Sequence, residues 1–197
     1  IGFVDITDAK APTAAGVVDV GGEPTSVAVS GTNALAGVVT SESFANPSGH
    51  LATIDIASMT VTSICELGGQ PDSVAVSRDG AFIAVVIENE RDEDLNDGAI
   101  PQLPSGGLAV LPLVNGAPDC AALRIVALAG LADIAPEDAE AEYVAINDDN
   151  IAVVTIQENN HIALVDLATA TVVGDFSAGA VEPGLVPLTA RLRQGLT

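Results

Sequence analysis

Two kinds of side chain in this sequence could act on another molecule. The first is a set of carboxylates and amides placed at the ends of short apolar runs. Glu23, Asp72, Glu140 and Glu142 stand where such runs begin. Glu42, the stretch Glu88-Asn89-Glu90, and the pair Gln157-Glu158 stand where others end. Oxygen donors drawn from several junctions suit calcium, which takes roughly six to eight oxygens in a flexible geometry, and they also admit magnesium. The candidate ligands are Glu23, Asp72, Glu88, Asn89, Glu90, Glu142, Gln157 and Glu158. Zinc is not expected, because no His/Cys ligand spacing is present. The second kind is histidine. His50 and His161, the only two, occupy matching places in the repeat described below. Either could serve as a general base, or simply end a strand.

Other chemistry is absent or incomplete. Asp92-Glu93-Asp94-Leu95-Asn96-Asp97-Gly98 resembles the start of a helix-loop-helix calcium loop. Its glycine falls one position late, and Leu103 stands where a bidentate Glu is required. There is no G-x-S-x-G nucleophile elbow, no phosphate-binding loop and no dinucleotide fingerprint.

The elements that must position these groups repeat. Gly21-Gly22-Glu23-Pro24-Thr25-Ser26-Val27-Ala28-Val29-Ser30 returns at residues 68–77, changed only at Gln70 and Asp72. A more distant copy is Glu140-Ala141-Glu142-Tyr143-Val144-Ala145-Ile146-Asn147. Each copy is followed by a turn and a second apolar run: Ala34 to Thr40, Ala81 to Ile87, and Ile151 to Ile156. A third run recurs at Gly2 to Ile6, Leu51 to Ile56, Leu108 to Leu113 and Ile162 to Leu167, and a fourth follows each of these. The runs are short, rich in β-branched residues and bounded by Gly, Pro, Asn or Asp, which marks strands. No segment shows a sustained helical period; Ala132–Ala141 could form a short helix behind an Asp133 cap, but it is acidic and holds Pro136.

Four short strands per repeat of about 50 residues describe the blade of a β-propeller. With strands a to d counted outward from the axis, the chain reads c, d, then full units over 25–67, 72–128 and 142–176. The fold expected is all-β, a propeller of four-stranded antiparallel blades, about 3.5–4 per chain, with a β-sandwich as the alternative. It spans residues 1–178, and 179–197 form a divergent tail. That tail either supplies closing strands, through Val181–Leu188 and Arg191–Arg193, or is disordered. In such a meander the loops entering a and leaving b share one face, here called the top, so the candidate ligands gather at the mouth of a central channel. Asp5, Asp55 and Asp166 fall within strands and are expected to brace neighbouring turns.

Composition narrows the partners. Six Lys and Arg against 27 Asp and Glu leave a net charge of −21. Nucleic acid and anionic membrane surfaces are therefore excluded as partners, and cations are favoured. No apolar run is long enough for a membrane helix. No signal peptide is visible, and the opening Ile1 fits a mature form or a piece of something longer. Cys65 and Cys120 fit either a disulfide, implying an oxidising compartment, or two buried thiols.

Gly22-Glu23-Pro24, Gly69-Gln70-Pro71-Asp72-Ser73-Val74-Ala75-Val76-Ser77, Val86-Ile87-Glu88-Asn89-Glu90, Glu142-Tyr143-Val144-Ala145-Ile146 and Val154-Thr155-Ile156-Gln157-Glu158-Asn159-Asn160 resemble bacterial secreted β-propellers of the YVTN and phytase-like types. The resemblance implies a secreted or periplasmic protein. It also implies a calcium-dependent hydrolase of small phosphoesters or esters, with a non-catalytic extracellular binding module as the alternative. Relatives of this type carry more blades, so a homodimer of half-propellers is expected in preference to a closed four-bladed monomer.

Overall fold

The computed structural model describes residues 1–179. Fifteen strands form four antiparallel sheets in chain order. The first is a two-stranded pair, β1 (Gly2–Asp5) with β2 (Thr13–Val17). The next runs β3 (Glu23–Ser30), β4 (Asn33–Val39), β5 (Gly49–Asp55) and β6 (Thr60–Glu66) as a simple meander. The third contains β7 (Pro71–Val76), β8 (Phe82–Ile87) and β9 (Gly107–Val114). Its outer edge is shared by β10 (Ala117–Pro118) and β11 (Arg124–Ala127), both paired to β9. The last is β12 (Ala141–Ile146), β13 (Ile151–Ile156), β14 (His161–Asp166) and β15 (Thr171–Ser177). These are the four-stranded antiparallel blades of a β-propeller, as the repeat predicts.

The sheets stack face to face, and this explains why the middle strands are apolar without a break. Ile83, Val85 and Ile87 of β8 face the preceding blade, against Leu35, Leu51 and Leu67. Ala84 and Val86, pointing the other way, pack with Val144, Val154 and Val165 of the following blade. In the same manner Ala36, Val38 and Ile54 of the first full blade cover Val18 and Val20, which follow β2. Truncating one of these fully buried side chains, Leu51→Ala for example, costs about 2–5 kcal/mol. Val27 and Val29 of β3, and Tyr143, Val173 and Phe176 of the last blade, remain exposed.

The repeated serines have a structural role. Ser26 Oγ accepts the Val74 N–H at 3.1 Å, and Ser73 Oγ accepts the Val144 N–H at 3.3 Å. Each therefore ties the innermost strand of one blade to that of the next. Cys65 and Cys120 form a disulfide, with a Cα–Cα distance of 5.2 Å and a sequence separation of 55. It joins β6 to the segment between β10 and β11, and closing a loop of that length stabilises by about 4 kcal/mol on the chain-entropy account.

The short helix that Ala132–Ala141 could have formed is absent. Turns and bends occupy the segment up to Glu140, and Ala141 opens β12. Pro136 supplies no N–H and disfavours a helical residue before it, and Ala135 takes a positive φ of 44°. The Asp138 and Glu140 side chains are drawn into an ion cluster described below. The closing strands proposed for Val181–Leu188 and Arg191–Arg193 lie outside the described residues.

Candidate functional site

A bulge in the innermost strand of every blade shapes the top face. The register shifts between Pro24 and Ser26, between Pro71 and Val74, and between Ala141 and Tyr143. A bulge leaves a residue unpaired and re-aims its side chain. The residues so placed are Thr25, Asp72 with Ser73, and Glu142. Thr25 is therefore the first-blade counterpart of Asp72 and Glu142. Glu23 stands instead in the position of Gln70 and Glu140. The carboxylates consequently concentrate over the second and third full blades.

Two clefts open there and share Glu88 and Glu90. One, of about 630 Å³, is lined by Glu23, Glu42, Phe44, Gln70, Asp72 and Asp92 as well as the shared pair. The other, of about 500 Å³, is lined by Arg91, Glu93, Gln102, Glu140, Glu142 and Glu158 besides that pair. Burial, followed by the charges of Asp72, Glu90, Glu142 and Glu140, pushes Glu88 up to about 8. Asp72 is raised by burial and then by Glu90, and Glu142 by burial and then by Asp72 and Glu158. Glu88 thus holds its proton near neutral pH because ionising it would put a charge in a partly buried place, and then beside other carboxylates.

Arg91 organises the second cleft. Its Nε pairs with Glu140 Oε1, its Nη1 lies 3.7 Å from Asp138 Oδ2, and its Nη2 lies 4.0 Å from Glu158 Oε2. Burial raises Glu140, and the Arg91 charge and hydrogen bond pull it back down. The long loop after β8 is held by Gln102, whose side-chain amide exchanges two hydrogen bonds with the Asp92 backbone, at 3.0 and 2.7 Å. Gly106 completes the anchor. Its N–H donates to Ala139 O at 2.8 Å, and a Cβ there would collide with the carbonyls of Ile87, Ala139 and Glu88.

Two buried asparagines brace the loops beneath the clefts. Asn89 Oδ1 accepts the Gln70 N–H at 2.9 Å, and its Nδ2 donates to Pro104 O at 3.1 Å. Asn159 does the same one blade on. It accepts from Glu140 N at 3.0 Å and donates to Ile134 O, Ala135 O and Asp138 O at 2.9–3.0 Å. Asn89 thus turns its carbonyl oxygen toward the Gln70 backbone N–H.

The predicted site residues therefore separate. Glu23, Asp72, Glu88 and Glu90 come together in the first cleft, and Glu88, Glu90, Glu142 and Glu158 in the second. Gln157 is exposed and lines neither. Neither histidine lines them either. His50 Nε2 donates to Val20 O at 2.9 Å, and His161 Nε2 bonds Asp175 Oδ2 at 2.9 Å. Asp97 is exposed and lines neither cleft, and Asp92 Oδ1 accepts the Asp94 N–H. Among the described residues, no three Asp, Glu, His or Cys side chains converge closely enough to hold a metal ion as placed. Sequence reasoning missed the Arg91 cluster and Asn159. The signal was a lone base in an acidic stretch and an Asn shortly after the second strands of the last two blades.

Comparison with known proteins assigns the family. The family model for the choice-of-anchor I domain matches residues 1–133 and 123–183. The chain belongs to the choice-of-anchor I family. Solved structures agree on the fold. A protein from Lactobacillus plantarum aligns with a TM-score of 0.61 at 18% identity, over 89% of this chain and 48% of its own. Hydrazine synthase from Kuenenia stuttgartiensis aligns with a TM-score of 0.54 at 17% identity, over 73% and 40%. The Dos1 propeller aligns with a TM-score of 0.51 at 10% identity, over 76% and 32%. This choice-of-anchor I chain thus spans less than half the length of each, and at these identities the likeness shows the propeller fold alone. No curated protein matches the sequence.

Proposed function

We propose that this choice-of-anchor I chain is a segment of a surface or secreted β-propeller that binds a cation-bearing ligand on its acidic top face. The observation that carries this reading is the gathering of Asp72, Glu88, Glu90 and Glu142, where burial, and after it the neighbouring charges, push Glu88 up to about 8. A bound positive charge would relieve that repulsion and let Glu88 ionise. The family description supports the surface location, and among the described residues no helix is long and apolar enough to cross a membrane. Calcium is the simplest such ligand, although the carboxylates as placed do not form a cage for it.

Thermal melting in millimolar calcium chloride, against sodium chloride of equal ionic strength, tests the reading. A ligand bound only by the native state raises the melting temperature by mass action. The wild type should gain stability with calcium beyond the salt control, and Glu88→Gln/Glu90→Gln should lose that gain. Equal melting in both salts overturns calcium as the ligand.

A second reading, calcium-dependent hydrolysis of phosphoesters or esters, is favoured by one observation. Glu88 keeps a proton near neutrality beside other carboxylates, the pattern of an acid and base set apart by environment. Turnover of an aryl phosphate and an aryl acetate, with calcium and with chelator, checks it. No turnover, or turnover unchanged in Glu88→Gln, removes it.

A further inference from the structure

The last blade has two apolar faces. Val144, Val154 and Val165 on one are buried against the middle blade. Tyr143, Val153, Ile162, Leu164 and Phe176 alternate onto the other. Tyr143 is 65% exposed and Phe176 50%.

Strand register gives these residues counterparts inside the molecule. Val86 pairs with Leu108, and Leu108 with Val126, just as Thr155 pairs with Ile162, and Ile162 with Phe176. Ala84 pairs with Val110 as Val153 pairs with Leu164. Leu108, Val110 and Val126 thus correspond to Ile162, Leu164 and Phe176. In the middle blade they are buried in one cluster with Val165 and Leu167 of the next. The last blade therefore repeats a face that, one blade earlier, receives another blade.

The first sheet carries the matching half. A bulge falls between Phe3 and Val4, between Thr53 and Ile54, and between Leu164 and Val165. Val4 is thus the counterpart of Ile54 and Val165, and Ile6 that of Ile56 and Leu167. Ile54, Val165 and Leu167 are fully buried against the preceding sheet, whereas Val4 is 59% and Ile6 70% exposed.

Both ends are therefore halves of one junction that the molecule already uses between its blades. The chain also spans just under half of the Lactobacillus plantarum fold, so one copy turns through about half a ring. We propose that a second copy of this chain covers both ends. Ile162, Leu164 and Phe176 of each copy pack on Val4 and Ile6 of the other, and two such junctions about a two-fold axis close a ring. Tyr143 stands where Ser26 and Ser73 tie neighbouring inner strands. Its bulk suits the wider inner space beside a first sheet of two strands. The pairing does not depend on the cation-binding reading.

Sedimentation equilibrium at micromolar concentration and physiological salt tests it. The wild type should have the mass of two chains. Higher salt should tighten the pair, since each copy carries a net charge of −21. Phe176→Asp blocks the last face and Val4→Asp the first. Each should weaken association on the order of a hundredfold, because an unpaired charge is buried at both junctions. Mixed together, the two variants should form a one-to-one pair, since one junction is then free of either change. Val114→Asp places the same charge on an exposed residue of the middle blade and should leave the dimer intact. Circular dichroism confirms that each variant is folded, and Ile162→Asp or Ile6→Asp stands in for one that is not. A monomeric wild type overturns the proposal, the two ends then being covered within one chain. So does a mass that keeps rising with concentration, which means junctions that do not close. Dimers of Val4→Asp or of Phe176→Asp alone, or a mixture that stays monomeric, overturn the end-to-start arrangement.

Discussion

Carboxylates at the two ends of the strands live in opposite electrostatic worlds. At the bottom, Asp5, Asp55 and Asp166 end strands, Asp79 lies in the turn between β7 and β8, and all four accept nearby N–H groups. Thr7, Ser58, Ala81 and Thr169 donate at 2.8–3.0 Å. Side-chain hydrogen bonds from Thr7, Ser58 and Asn150, and after them those N–H groups, favour the ionised form and hold Asp5, Asp55 and Asp79 below the usual range. At the top, Asp72, Glu88 and Glu142 are partly buried beside one another and are all raised. The same residue type braces turns at one end and stores repulsion at the other. The difference teaches that acid content alone says little, and that acids lacking local donors mark the face built for something else.

The largest expected effect breaks the top face from beneath. Asn159→Ala removes a buried side chain with four backbone partners and should cost about 3 kcal/mol by leaving buried groups unpaired. Chemical denaturation measures it. A loss under ~1 kcal/mol would show that water replaces the clamp.

Next comes the pH dependence of the top. Glu88 has a raised folded pKa, so its contribution is complete below the unfolded value of 4.5 and is lost as pH rises toward about 8. The melting temperature should therefore fall between pH 5 and pH 8, and Glu88→Gln should flatten that limb. At pH 8 the variant should melt higher than the wild type by ~2–4 °C, about 1 kcal/mol for a domain of this size once solvent screening is allowed for. A variant that melts lower at pH 8 would mean the Glu88 charge is compensated.

The smallest effect belongs to the bottom. Asp55 has a lowered folded pKa, so its contribution is present above 3.8 and lost as pH falls through the folded value. Asp55→Ala should lower the melting temperature slightly at neutral pH and leave acid unfolding below pH 4 less steep. If it proves as damaging as Asn159→Ala, the contrast between the two ends is wrong.

Much of the frame is legible in the chain. The repeated Pro-x-Ser-Val-Ala-Val-Ser segments predict inner strands, and the structure adds that their first serines tie one blade to the next. The gathering of Glu23, Asp72, Glu88, Glu90 and Glu142 at one end follows from antiparallel connectivity alone. Other details were not legible. Asn89 reads as an oxygen ligand, yet its amide is consumed by Gln70 and Pro104, far away in sequence. The segment before β12 admits a short helix or a loop, Pro136 already speaks against the helix in the sequence, and the structure adds that Arg91 pairs with Asp138 and Glu140 there. His50 and His161 read as candidate bases, and each is tied by a hydrogen bond away from the clefts.

The sequence by itself determined the all-β class, the four-strand repeat and the sign of the charge on the top face. Those depend on short-range patterning: alternation, turn residues and period. Tertiary structure alone decided that Cys65 meets Cys120, that Arg91 pairs with Asp138, Glu140 and Glu158 in one cleft and does not line the other, and that Glu88 holds a proton near neutral pH. Each depends on distances between residues far apart in the chain. A carboxylate's pKa is set by the charges and burial around it in space, and no spacing along the chain encodes those.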